Sequence, residues 1–303
     1  MALIDEMTAH RVYESMGPAV EASGGSAANT VAGIAELGGR AAFIGKVATD
    51  QLGDVFAHDI RAAGVTFENG RLDGGPSTGR CLILVTPDAQ RTMQTYLGAA
   101  DRLTVEDVDE ELVASSSVLY LEGYLWDQPH AKAALLKAAK VAQEAGRKVA
   151  LTLSDPFCVE RHREEFLDLI ERHIDVLFAN EHEITSLYRA PDFDAALQRV
   201  RGHCELAALT RSEKGSVVIS GEELHIIDAE QAEVVDTTGA GDAYAAGFLY
   251  AYTQGLDLRT CGLLGSLLAA EVISHYGARA EADLKSLAEP LLQHARRGST
   301  AGG

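Results

Sequence analysis

The 303-residue sequence predicts an α/β fold, a doubly wound and mostly parallel sheet flanked by helices. Three observations lead there. Short apolar runs alternate with longer helical patterns over most of the chain. A 47% hydrophobic content over this length suffices for one large core, so residues 1–303 are expected to form a single domain. A turn with two glycines leads directly into an apolar helical run at 239–250.

The strand candidates are 41–47, 118–121, 149–153, 176–179 and 207–210, each a short apolar run. Helical patterns fall between them at 27–37, 51–63, 130–145, 164–171 and 193–200. Pro129 and Gly146 bound an alanine-rich helix, a proline near its start and a glycine past its end. Segments 81–86 and 92–97 alternate polar with apolar around Pro87-Asp88-Ala89-Gln90 and read as a hairpin with one wet face. A second hairpin is expected at 217–220 and 223–227, followed by helix from Gly241 almost to the end and a frayed tail at 299–303.

Charge and cysteine usage narrow the function classes. With 45 acidic against 26 basic side chains, a net charge of −19 argues against nucleic acid or an anionic membrane as partner. Cys81, Cys158, Cys204 and Cys261 are scattered without C-x-x-C spacing, as in a reducing compartment. No apolar stretch reaches membrane-spanning length, the best (263–273) being broken by Glu271, and residues 1–11 lack signal-peptide features. The expected location is cytoplasmic.

The chemistry concentrates in Asp236-Thr237-Thr238-Gly239-Ala240-Gly241-Asp242. Backbone N–H groups at a helix start lack intrahelical acceptors and carry the positive end of the macrodipole, so they form an anion site. Gly239 and Gly241 let a phosphate approach the backbone, and Asp242 places a carboxylate beside it. That arrangement suits phosphoryl transfer, with Asp242 as proton acceptor and Gly239, Ala240 and Gly241 holding the transferring oxygens.

This string resembles the second signature of the ribokinase-like (PfkB) carbohydrate and nucleoside kinases. Ser23-Gly24-Gly25-Ser26-Ala27-Ala28-Asn29-Thr30 is similar to the segment with which that family holds a sugar, and Asn180-Glu181-His182-Glu183 to its Asn-x-x-Glu motif. The motifs come in family order, and the likeness runs from about residue 20 to about residue 285. The resemblance implies ATP and Mg2+ as cofactors, a small-molecule nucleoside or sugar as substrate, and a small β lid from strands at about 1–5 and 78–97. In such proteins a lid hairpin can serve as a homodimer interface. By the same comparison the family's first strand, ending in a substrate-binding Asp, is absent here, because Met1-Ala2-Leu3-Ile4-Asp5 looks like a lid strand.

Carried onto this sequence, the resemblance makes Gly24, Gly25 and Asn29 substrate-binding and Asn180 a nucleotide-side residue. Glu183 would hold magnesium through water. Asp236 and Thr238 would order a monovalent cation such as K+, or fix their turn by side-chain-to-backbone bonds. Thr210, Lys214 and Gly215 follow a strand like the family's nucleotide-side loop, and His275 lies where relatives pack adenine. Leu151-Thr152-Leu153-Ser154-Asp155-Pro156-Phe157 is similar to a segment of the adenosine kinases, with Phe157 or Tyr124 as aromatic faces for a purine. The leading expectation is phosphorylation of adenosine to AMP. A ribokinase- or fructokinase-like sugar kinase, or a catalytically silent sensor, fits the same motifs.

Overall fold

A computed structural model of the chain describes residues 1–68, 70–87, 89 and 91–300. Strand β1 (Ala2–Leu3) and helix α1 (Glu6–Ser15) come first, then α2 (Ser26–Glu36), β2 (Val47–Ala48), α3 (Gln51–Ala62) and β3 (Arg71–Leu72). The hairpin β4 (Arg80–Val85) and β5 (Arg91–Tyr96) precedes α4 (Glu110–Ser115), β6 (Val118–Glu122), α5 (Pro129–Glu144) and β7 (Lys148–Thr152). Next come α6 (Pro156–His173), β8 (Val176–Asn180), α7 (Glu181–Tyr188), α8 (Phe193–Val200) and β9 (Leu206–Thr210). The chain closes with β10 (Ser216–Ser220), β11 (Glu223–Ile227), α9 (Ala240–Thr253), α10 (Leu258–Val272) and α11 (Leu284–Thr300).

The main sheet has the order β11-β10-β9-β8-β7-β6; β6 to β9 run parallel, β10 runs antiparallel to β9, and β11 antiparallel to β10. Both faces are covered, as the period of two requires. Leu151, Leu177, Ala179, Ala207 and Leu209 enter a core with residues of α5 to α8. The alternate set Ala150, Val176, Phe178, Leu206 and Ala208 enters a second core with α9 and α10. Phe178 and Phe248 meet edge-to-face at 5.3 Å in that second core. Truncating the fully buried Phe248 to Ala is expected to cost about 3–5 kcal/mol of stability, measurable by denaturant unfolding.

Local chemistry starts these helices where they are needed. Asp155 caps α6 through the Phe157 N–H, with Pro156 in its first turn. Asp50 caps α3 through Gly53 N–H and also takes bonds from Thr78, so it shapes the turn that starts the helix. Helix α9 is buried along Ala243–Leu249, and Gly247 lets α10 come so near that a Cβ would stand 2.6 Å from the Leu264 carbonyl oxygen.

Several expectations need correction. Segment 41–47 is not a strand of the sheet. Ala42 makes one isolated bridge to Thr66, and Phe43 packs with Phe56 and Phe67 in a separate aromatic cluster. The helical pattern at 164–171 belongs to the longer α6, and the region after Gly241 is interrupted between α10 and α11. Ser299 and Thr300 form the last turn of α11, whereas 301–303, like Asp88 and Gln90 of the hairpin turn, lie outside the described residues. Strands β1, β5 and β4 form a separate three-stranded sheet, with β1 parallel to β5 and β4 antiparallel to it. Among the described residues, no helix is long and apolar enough to cross a membrane.

Candidate active site

The parallel strands β6, β8 and β9 end in Glu122, Asn180 and Thr210 at one edge of the sheet, where open α/β sheets bind ligands. Asp242 lies in the first turn of α9 and faces the first turn of α2. Ser26 Oγ donates to Asp242 Oδ1 at 2.8 Å, and Asn29 Nδ2 donates to Oδ2 at 2.9 Å. Thr30 Oγ1 also donates to the Asp242 carbonyl at 3.3 Å.

Burial pushes the Asp242 carboxyl up to about 6, against the pull of the Asn29 and Ser26 bonds and the Arg91 charge. A helix start favours the charged form of an acid, but desolvation outweighs that effect here. The group remains mostly charged at neutral pH, in the range that suits a general base.

The turn before α9 is open to an anion. Among the described residues, no protein group accepts from the N–H of Gly239, Gly241 or Asp242, and Ala240 N–H makes only a long 3.4 Å contact with the Thr237 carbonyl. Gly239 adopts a left-handed conformation with φ +80°, and no atom stands within 4 Å of where a Cβ of Gly241 would project. From β5, Arg91 donates to Thr237 Oγ1 at 2.7 Å, bringing a guanidinium to the loop. These donors fit a phosphoryl group.

Asp236 is buried and fixes this loop. Its Oδ1 accepts from Thr238 N–H and Oγ1 at 2.9 and 2.7 Å, and its Oδ2 from Gly277 N–H at 3.2 Å. Of the two roles open for Asp236 and Thr238, this geometry carries the turn-fixing one.

Gly25, with φ +109°, sits just before α2 and lets the chain enter that helix, with Gly24 beside it. Asn29 is buried, and its amide is engaged by Asp242 on one side and by Arg279 Nε, 3.4 Å from Oδ1, on the other. The residue expected to hold the acceptor is thus bonded directly to the Asp242 carboxylate.

The nucleotide-side expectations fare differently. Asn180 and Glu183 form a capping box: Asn180 Oδ1 accepts from the N–H groups of His182 and Glu183. The Glu183 oxygens accept from Asn180 N–H and Nδ2 at 2.9 and 2.6 Å. Burial pushes the Glu183 carboxyl up to about 7. Each Glu183 oxygen accepts one of these bonds, so the carboxylate caps α7 in this structure. Among the described residues, no group of three or more His, Cys, Asp or Glu forms a ready metal cage. Magnesium can still arrive mainly on phosphate oxygens and keep its waters.

Lys214 and Arg211 both donate to Glu181 at 3.3 Å. Gly215 is required by packing, since a Cβ would stand 1.9 Å from the Ile227 carbonyl oxygen; no ligand is needed to explain it. Thr210 occupies the end of β9. His275 faces Glu271, Nε2 to Oε1 at 3.4 Å. Tyr124 Oη donates to the Ser154 carbonyl and packs inward, whereas Phe157 is exposed in the first turn of α6.

Four participants were missed. Glu122 Oε2 accepts from Ala27 N–H at 2.9 Å, and burial together with the nearby Asp242 charge pushes its carboxyl up to about 7. Its place at the end of an apolar strand run was the available signal. Ser26 stood inside a quoted motif without a role, and Arg91 and Arg279 gave no local signal.

A doubly wound sheet with an anion-binding turn and an adjoining acid at its ligand edge defines a ribokinase-like α/β kinase fold. The model of the pfkB family carbohydrate kinases matches residues 13–284, and the chain belongs to that family. It is a kinase. The crystal structure of adenosine kinase from Sinorhizobium meliloti is 54% identical, with a TM-score of 0.93 over 95% of this chain and 89% of that one. An uncharacterized sugar kinase of Archaeoglobus fulgidus is 29% identical over 82% of this chain and 96% of its own length. The adenosine kinase of Saccharomyces cerevisiae is 28% identical over 91% of this chain and 83% of its own.

Proposed function

We propose that this kinase transfers the γ-phosphoryl group of ATP to a primary hydroxyl of a nucleoside, forming AMP from adenosine. The 54% identity to the Sinorhizobium meliloti adenosine kinase over nearly the whole chain supports this acceptor. In the proposed step Asp242 takes the proton of the acceptor hydroxyl and the alcohol oxygen forms a bond to the γ-phosphorus. The bond to the bridging oxygen breaks and ADP leaves. The N–H groups of Gly239, Gly241 and Asp242 would receive the equatorial oxygens, with Arg91 adding positive charge from β5. Magnesium, when bound, neutralises phosphate charge.

A free sugar is the second reading, favoured by the Archaeoglobus sugar kinase relative and by the second carboxylate, Glu122, at the acceptor end. Measuring ADP release and product mass over a panel of nucleosides and sugars tests both. Adenosine is expected to give the largest kcat/KM and AMP as product; a hexose or ribose exceeding it would replace the first reading by the second.

The carboxyl positions also predict a pH profile. Asp242 must be ionised to accept a proton, and burial holds it near 6 with Glu122 near 7 beside it. Two interacting acids titrate as a pair. The rate is therefore expected to fall as pH drops through about 7 to 6 and to level above that range. An acid limb down at 3.8, the ordinary Asp value, would show that the group is not desolvated in the working enzyme.

A further inference from the structure

Three consecutive residues after α10 touch three parts of the site. Gly277 N–H donates to Asp236 Oδ2 at 3.2 Å, and Ala278 lies against Gly239, where a Cβ would come within 2.7 Å of Ala278 Cα. Arg279 Nε donates to Asn29 Oδ1 at 3.4 Å, and Asn29 Nδ2 donates to the Asp242 carboxylate.

An amide accepts at one end and donates at the other, so a donor placed on Oδ1 determines that Nδ2 points at the acid. A flipped amide would set Oδ1 against the carboxylate, oxygen facing oxygen. The arginine is held at a cost: its Nη2 is buried without a hydrogen-bond partner among the described residues. Burial also works against its charge, which Glu36 of α2 and Asp59 of α3 support. Asp59 is itself fixed by Ser23 Oγ at 2.7 Å, so the same charged cluster braces the segment entering α2.

We propose that Arg279 is a positioning residue for phosphoryl transfer: through Asn29 Oδ1 it sets the amide that holds the Asp242 carboxylate in place. The proposal rests on the reading of Asp242 as the base. Around that carboxylate stand Ser26 and Asn29 of α2, Glu122 and Tyr120 of β6, Tyr124, and Arg91 of β5; Arg279 touches it only through Asn29.

The test is a double-mutant cycle on the full chain with Arg279→Met, Asn29→Ala and the pair, reading kcat, both KM values and the pH profile. A misplaced catalytic group can lower the rate about 10²-fold, and a loss of about this order in kcat is expected for Arg279→Met with KM for ATP nearly unchanged. Adding Arg279→Met to Asn29→Ala should bring little further loss, and Arg279→Met alone should move the acid limb to higher pH. Arg279→Lys should recover part of kcat. Additive losses, an unmoved acid limb or an unchanged kcat would overturn the proposal. Thermal unfolding checks each variant, and Arg279→Gln takes the place of Arg279→Met in the cycle should the latter fail to fold. Turnover retained in Asp242→Asn would remove the base reading, whereas the coupling between positions 279 and 29 is a separate number obtained from the cycle.

Discussion

Replacing Asp242 by Asn is expected to lower kcat about 10²–10⁴-fold, the range that a positioned general base contributes, while ATP still binds. The variant keeps the shape of the side chain and removes its ability to take a proton. Asn29 and Ser26 both donate to the carboxylate, so the amide meets two donors where one of its ends is itself a donor. Some local rearrangement follows, but α9 is anchored by its buried residues from Ala243 to Leu249 and should hold. ADP release measures the turnover, a fluorescent ATP analogue the affinity, and thermal unfolding the fold. A variant with near-parental kcat would exclude Asp242 as the base.

The second large effect is expected at Gly239. This residue has φ +80°, where a side chain is strained by about 1–3 kcal/mol. An added Cβ would also come within 2.7 Å of both the Cα and the carbonyl oxygen of Ala278, backbone atoms that cannot swing aside. Gly239→Ala must therefore displace the anion-binding turn from the 277–279 segment. We expect kcat to fall about 10²-fold or more, as misplacement of a reacting group does, together with a lower unfolding temperature. Gly241→Ala is the control: with no atom within 4 Å of its Cβ position, it should leave the fold intact. Equal stability of Gly239→Ala and the parent would show that the contact with Ala278 is not constraining.

Much of the scaffold could be read from the chain. Segments 176–179 and 207–210 are apolar on both faces because helices cover both sides of a parallel strand, and they lie within β8 and β9. Segment 41–47 opens on a similar apolar run at 41–44, yet its Phe43 serves an aromatic cluster with Phe56 and Phe67, and that run alone does not distinguish these fates. Glycine turns and caps are local, which is why Gly239, Gly241 and Asp242 were legible. Glu122 and Arg279 draw their roles from partners 95 and 250 residues away, Ala27 and Asn29, and no window of sequence contains both members. Glu183 shows the converse: its motif is local and legible, whereas the bonds its oxygens accept in the capping box depend on side-chain rotamer.

Because Asp242 opens the same helix that carries Gly247 and Phe248 into the interior, the carboxylate proposed as base is mounted on the core itself. A slackened interior on that face would tilt the mounting before the chain melts. Mild lesions such as Phe248→Leu should then announce themselves as sluggish catalysis well below the melting temperature.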